Sequence, residues 1–452
     1  MVDRPPSTGP AATGPAVDGS LIASLRGLDR DGRTLVAIRV LRMFGYGFLA
    51  VVLVLYLDAA GFEPVAIGAI LTLTLVGDAV ISLWLTTHAD RLGRRRVLVF
   101  SSLLVVAAGL AFAATDLLPL LILAGIVGVI SPTGNEVGPF LAVEQAALTQ
   151  VVPARRRTAT FAWYNVAGYL ATATGALAAG LVSGALISAG WRPVDAYRVI
   201  VVGYAGIGLA MAVLSLRLGR GIEVAMPSAD AGITRHLGLG RSRSVVLRLS
   251  ALFSLDAFAG GFIPLSLVAF WFSVRFDVSP GVLGAIFFAS NVLSAISALS
   301  AARIAARIGL IETMVFTHLP SNVLLMLIPL MPTLPLAVAV LLLRFTLSQM
   351  DVPTRQSYVM AVVEPDERSA AAGVTGIART IGAAISPSIS AVLVAGAATA
   401  ALPFYIAGGL KIVYDLLIYR DFRALRPPEE AGTAGGVPTG AGSPGGPPGA
   451  AG

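Results

Sequence analysis

Apolar runs of about 20 residues alternate with short polar segments along most of the chain. That is the length a helix needs to cross the hydrocarbon core of a bilayer. The pattern predicts twelve spans, near residues 35–57, 65–87, 97–115, 118–141, 158–187, 197–216, 245–272, 280–302, 311–330, 334–361, 369–395 and 399–419. Each span is predicted to be helical, because lipid offers no partner to an open backbone group. The fold class expected is an all-α polytopic membrane protein, twelve transmembrane helices in two six-helix pseudo-symmetric bundles.

The polar segments alternate in charge. One set carries Arg26, Arg30 and Arg33; Arg91 and Arg94 to Arg96; Arg155 to Arg157; Arg217, Arg220, Arg235, Arg241 and Arg243; Arg303 and Arg307; and Arg420, Arg423 and Arg426. The other set is mixed or acidic, as at Asp58, Glu63, Asp116 and Asp277. The positive-inside rule places the first set, and both termini, in the cytoplasm. Segment 362–370, VVEPDERSA, is mixed and supports this topology least. The expected organisation is a flexible cytoplasmic tail at 1–33, a bundle at 34–217, a cytoplasmic interbundle loop at 218–244, a second bundle at 245–420 and a disordered tail at 421–452. Residues 1–20 lack the apolar core of a signal peptide and read as tail, as do the Pro- and Gly-rich residues 427–452.

Composition narrows the class. The chain is 56% hydrophobic and 13% charged, against about a quarter charged for soluble domains. Its net charge of +7 rests on arginines in the loops, which topology explains without nucleic acid. The absence of cysteine excludes disulfides and thiolate metal sites, and His88, His236 and His318 lie too far apart in sequence to suggest a metal cluster. There is no P-loop; GLGRSRS at 238–244 lacks the lysine and the spacing. No nucleophile constellation appears. The expectation is no enzyme, no cofactor and no metal.

The two halves resemble each other. Residues 64–100 set against 280–316 without a gap match at 12 of 37 positions, including Pro64/Pro280, Ala89/Ala305, Arg91/Arg307, Gly93/Gly309 and Phe100/Phe316. Segments 144–157 and 356–369 align at a slightly smaller offset. Parallel six-span repeats build one large class of transporters.

Between the second and third spans the sequence runs TTHADRLGRRRVL, residues 86–98. With its intact D-R-x-G-R-R core, this loop resembles that of the major facilitator superfamily, and the likeness extends over about residues 33–420. Thr86 stands where the family pattern has glycine, and His88 where it has leucine. Span 5, AGYLATATGALAAG at 167–180, lacks the Gly-Pro signature frequent in the family's drug/proton antiporters, and span 4 lacks their buried arginine. The resemblance implies twelve spans, alternating access and a gate at this loop. Asp90, Arg91, Gly93 and Arg94 are its expected members, with Arg155 to Arg157 as partners for Asp90; the bare alternative is a charge cluster that only fixes topology. Glu144 is expected in a gate or packing role.

Charges inside spans are expensive and mark sites. Asp78 lies 12 residues before Asp90, about 18 Å along an ideal helix. Arg42, at similar depth in span 1, is its expected partner or cavity neighbour, and Arg39 lies one turn away. SPTGNEVGPF at 131–140 should break span 4 and set Asn135 and Glu136 against a cavity. Glu136 and Asp78 are the expected proton-coupling carboxylates. In span 10, RFTLSQMDVPTRQ at 344–356 places Arg344, Gln349, Asp351 and Arg355 on one broad stripe, with Asp256 and Arg379 as partners. Arg42, Asn135, Asp256, Arg344, Gln349, Asp351 and Arg379 form the expected substrate cavity. Lys411 and Asp415 are expected as a local i,i+4 pair.

The function expected is secondary active transport of a small molecule by a monomer in the plasma membrane, proton-coupled and running as efflux. Uptake by symport or facilitation is the alternative, and a non-transporting receptor or scaffold a more distant one.

Overall fold

The computed structural model describes residues 28–134, 139–152, 157–223, 240–364, 367–423 and 425. These form sixteen α-helices with no strand among the described residues. In the first half they are α1 (Arg30–Ala50), α2 (Leu53–Ala59), α3 (Pro64–Leu92), α4 (Arg94–Ala114), α5 (Leu118–Val127), α6 (Phe140–Val151), α7 (Arg157–Ser188) and α8 (Pro193–Leu216). In the second half they are α9 (Arg243–Gly260), α10 (Leu265–Phe276), α11 (Pro280–Ile308), α12 (Leu310–Leu327), α13 (Leu334–Phe345), α14 (Asp351–Val362), α15 (Arg368–Ala395) and α16 (Leu402–Phe422). Ten helical segments are long and apolar enough to cross a bilayer, and α5 and α13 are shorter apolar pieces. Twelve spans account for them: spans 1, 4, 7 and 10 are each built from two helices.

Local chemistry sets the helix ends. Asp29 caps α1 by accepting the Gly32 N–H at 2.7 Å. Pro64, Pro193 and Pro280 open α3, α8 and α11, where the missing N–H costs nothing. The break in span 4 falls where SPTG predicts it: α5 ends at Val127, Gly134 has a φ of +70°, and helix resumes at Phe140.

The internal repeat is visible in the backbone. Helices α3 and α11 are each 29 residues long, and each ends at a glycine of positive φ, +93° at Gly93 and +96° at Gly309. Both glycine N–H groups donate at 2.9 Å to a carbonyl four residues back, Ala89 and Ala305. A side chain is strained in this conformation, which accounts for glycine at both places although Arg94 to Arg96 have no arginine counterparts at 310–312.

The exterior carries large apolar side chains, among them Trp84, Phe100, Leu123, Leu209, Phe316 and Ile381. That is what a lipid-facing surface requires. Between the halves, α3 packs on α15 and α7 on α11. Small residues permit the approach: a Cβ on Gly68 would lie 2.7 Å from Ser388 Cα, and one on Gly180 2.4 Å from Pro280 O. Ser388 Oγ adds polar contacts to Gly68 O at 3.1 Å and Thr72 Oγ1 at 2.6 Å. All these contacts lie toward the end opposite the 86–98 loop.

Candidate functional site

The interior of each half holds charge. In the first half, Arg42 on α1 meets Glu144 on α6 at 2.8 Å, with both side chains fully buried. The Tyr164 hydroxyl on α7 also donates to Glu144, and the Arg42 guanidinium lies 4.9 Å from the centre of the Phe140 ring. Arg39 donates to Tyr164 O at 2.9 Å and stacks over that ring at 4.0 Å. Glu144 is fully buried among α1, α6 and α7. Arg42, expected to face Asp78 or the cavity, forms an ion pair with this glutamate. Asp78 is buried and accepts from Ser82 Oγ at 3.1 Å.

The second half carries a larger network centred on Asp256 of α9. Its Oδ1 meets Lys411 Nζ of α16 at 2.5 Å; its Oδ2 meets Arg379 of α15 at 3.1 Å and Arg355 of α14 at 3.3 Å. Arg355 also pairs with Asp351 at 2.9 Å, one turn earlier on its helix. Asp256 thus pairs with Arg355 of the span-10 stripe, and Arg379 shares the same Asp256 oxygen. The local pair of Lys411 with Asp415 is not formed. Lys411 reaches across to Asp256, and Asp415 meets His318 Nδ1 of α12 at 2.8 Å and Asn322 Nδ2 at 2.9 Å. Neighbouring helices supply desolvated partners, which outweigh the few tenths of a kcal/mol of an exposed i,i+4 pair.

The two networks share a plan with the charges exchanged. In the first half the opening helix supplies arginine and the second piece of span 4 the carboxylate, Arg42 and Glu144. In the second half the opening helix supplies the carboxylate and the second piece of span 10 the arginine, Asp256 and Arg355.

Arg344 ends α13 at the interruption of span 10. It is buried, its Nε has no hydrogen-bond partner among the described residues, and its guanidinium lies 5.1 Å from the Phe345 ring centre. Gln349, in the interruption itself, donates its N–H to Ser297 Oγ at 3.3 Å and its side-chain amide to Ser348 at 3.4 Å.

At the loop end, Arg94 fastens the start of the interbundle connection. Its guanidinium donates to Ile222 O at 3.2 Å, and the Arg94 and Arg95 N–H groups donate to the Glu223 carboxylate at 2.8 and 3.2 Å. The carboxylate satisfies open donors at the positive end of α4. The second half repeats the device. Glu367 accepts from the N–H groups of Ser242, Gly240 and Arg241 before α9, and these bonds hold its carboxyl below the usual glutamate range. Asn135 and Glu136 lie outside the described residues, as do the side chains of Asp90 and Arg91 and the segment holding Arg155 and Arg156.

Sequence reasoning missed His318 and Asn322. Their signal was a polar pair at i,i+4 inside an otherwise apolar run. A depression of about 430 Å³ lined by Trp191, Asp195, Arg198, Val199 and Val202 lies on α8 and its approach, apart from both networks.

Helical bundles that are apolar outside and charged within, with broken helices at mid-span, define a membrane transporter fold. The chain belongs to the Major Facilitator Superfamily, whose family model matches residues 35–387. Fold and family point to a transporter rather than an enzyme. The uncharacterized membrane protein YJR124C of Saccharomyces cerevisiae is 29% identical over 418 residues, covering 86% of this chain and 93% of its own. A structure of the nucleoside transporter NupG superposes with a TM-score of 0.65 at 15% identity, covering 87% of this chain and 100% of that one. The xylose transporter XylE from E. coli, in a partially occluded inward open conformation, gives 0.66 at 14% identity, covering 87% and 98%. At such identities the likeness is one of fold.

Proposed function

We propose that the protein is a proton-coupled secondary transporter that exports a small molecule across the plasma membrane by alternating access. The observation that carries this reading is the pair of buried charge networks, one in each half of a superfamily fold. Charges of that cost persist in a membrane interior where they bind or couple. The basic loops support a cytoplasmic position for both termini and for the 86–98 end. Close packing of the halves at the other end supports a form loaded from the cytoplasm. The cavity proposed lies between the halves, with Arg42, Asp256, Arg344 and Arg379 on its walls or just behind them. Asp78 and Glu136 are proposed as proton sites of the first half, and Asp90, Arg91, Gly93 and Arg94 as the loop-end gate.

The test uses proteoliposomes loaded with a mixed metabolite extract and given an imposed pH gradient. Mass spectrometry of both compartments identifies any solute that moves. The reading expects one solute class to move against its gradient, in the sense of export, and to stop when the pH gradient is collapsed. Movement indifferent to the gradient contradicts coupling; accumulation in the opposite sense contradicts export.

A further inference from the structure

The His318–Asp415 pair has no part in the reading above. The Asp415 side chain is fully buried and that of His318 is 5% exposed. The hydrogen-bond partners of the Asp415 carboxylate are one imidazole and one neutral amide, from His318 and Asn322. A buried carboxylate without a cation is costly. The pair is electrically neutral only when it holds a proton, on either member.

A second cation stands within reach. Lys411 lies one turn before Asp415 on the same face of α16, yet its ammonium rests on Asp256 Oδ1 at 2.5 Å. Its stem is flexible and its charge is a point charge, so it can serve either carboxylate. The Asp256 Oδ2 atom keeps Arg355 and Arg379 in any case. The other charged or titratable groups on the elements around His318 are Tyr405, Tyr414, Tyr419, Arg420 and Asp421 of α16, Asp351, Arg355 and Tyr358 of α14, Arg344 of α13 and Glu312 at the start of α12. The Tyr414 ring meets the imidazole edge-on. Helix α11 contributes only Arg303 and Arg307 near its loop end.

We propose that His318 and Asp415 form a proton site in the second half, and that Lys411 relays its occupancy to Asp256. With the proton bound, Lys411 stays on Asp256. When the proton leaves to water, Lys411 turns to Asp415, and Asp256 Oδ1 is freed to accept an N–H or O–H donor of the transported molecule. Proton and solute then compete for one carboxylate through one lysine, which is the logic an exchanger needs. The inference rests on the transport reading, but its first two readouts need no solute.

Because the chain has no cysteine, spin labels can be placed at introduced cysteines alone. Leu92 and Ile308 are exposed residues at the loop ends of α3 and α11. In nanodiscs, the label-to-label distance distribution is followed from pH 5 to pH 9, and ¹⁵N-imidazole NMR is followed in a H88Q/H236Q background that leaves His318 as the sole histidine. The expected result is that His318 titrates in this range, and that the distances shift with it. The shift is lost in H318Q and D415N and kept in H88Q/H236Q. In K411Q, His318 still titrates but the distances no longer follow. A His318 that does not titrate, or a distance response that persists in H318Q or in K411Q, overturns the proposal. Circular dichroism identifies any variant that fails to fold, and folded D415N or K411Q then carries the decision. Gradient-driven solute flux in the parent chain separates the two claims: its absence sinks the transport reading, while its persistence at full rate in H318Q sinks this one.

Discussion

Asp256→Asn is the most informative single change, because one carboxylate serves three cations. The amide keeps the shape and removes the charge. Arg355 retains Asp351 at 2.9 Å, and the Arg379 side chain is 34% exposed. Lys411, at 10% exposure, loses its ion-pair partner at 2.5 Å. Breaking a buried pair by removing one member costs about 3–5 kcal/mol, whereas a half-exposed contact such as that of Arg379 is worth about 0–1 kcal/mol. The buried Lys411 contact should therefore dominate the loss. Lys411→Met added to Asp256→Asn should recover most of it, since an apolar side chain can replace a buried ion with little cost. The assay is a double-mutant cycle on reversible unfolding in mixed micelles at about pH 5, where the proton held by His318 and Asp415 leaves Lys411 no second carboxylate to turn to. The expected coupling between positions 256 and 411 is at least about 2 kcal/mol, against less than about 1 kcal/mol between 256 and 379. Equal couplings, or a double variant weaker than either single one, would refute the ranking of partners by burial.

Further expectations follow from other parts of the structure. Arg344→Met removes a buried guanidinium whose Nε is unbonded; stability in the same assay should rise by about 1 kcal/mol or more while solute flux falls. Gly93→Ala and Gly309→Ala force a Cβ into a φ near +95°, and each should lower stability by about 1–3 kcal/mol in unfolding measurements. Glu367 has a carboxyl held below its unfolded value of 4.5 by backbone N–H groups. Its contribution, read as the difference between the parent and Glu367→Gln, should be constant above that value and disappear as pH falls through the lowered folded one.

The spans were legible because a bilayer imposes one length and one conformation on every apolar run. The break in span 4 was legible for a related reason: Pro132 and Gly134 interrupt helix in an otherwise uniform pattern. The break in span 10, between Phe345 and Asp351, was not, because the stretch 344–356 reads as one continuous helical stripe. Partner choice was not. Lys411 and Asp415 read as a local pair because sequence shows spacing along one helix and hides what faces it across the bundle. His318 stayed hidden because a single histidine in an apolar run has no visible partner until α12 meets α16. The repeat, by contrast, was read from Gly93 and Gly309 and returned as two matching backbone turns.

Alternating access is the central claim, and distances at both ends of one molecule test it most directly. One label pair sits at Leu92 and Ile308, at the loop end; the other sits at Ser188 and Ser279, exposed residues at the opposite end of α7 and just before α11. The account predicts reciprocity: conditions that lengthen the Ser188–Ser279 distance shorten the Leu92–Ile308 distance, and Gly180→Ala, whose Cβ would lie 2.4 Å from Pro280 O, drives both changes at once. Distances that lengthen together, or a loop end that stays unchanged while the other end opens, would contradict it.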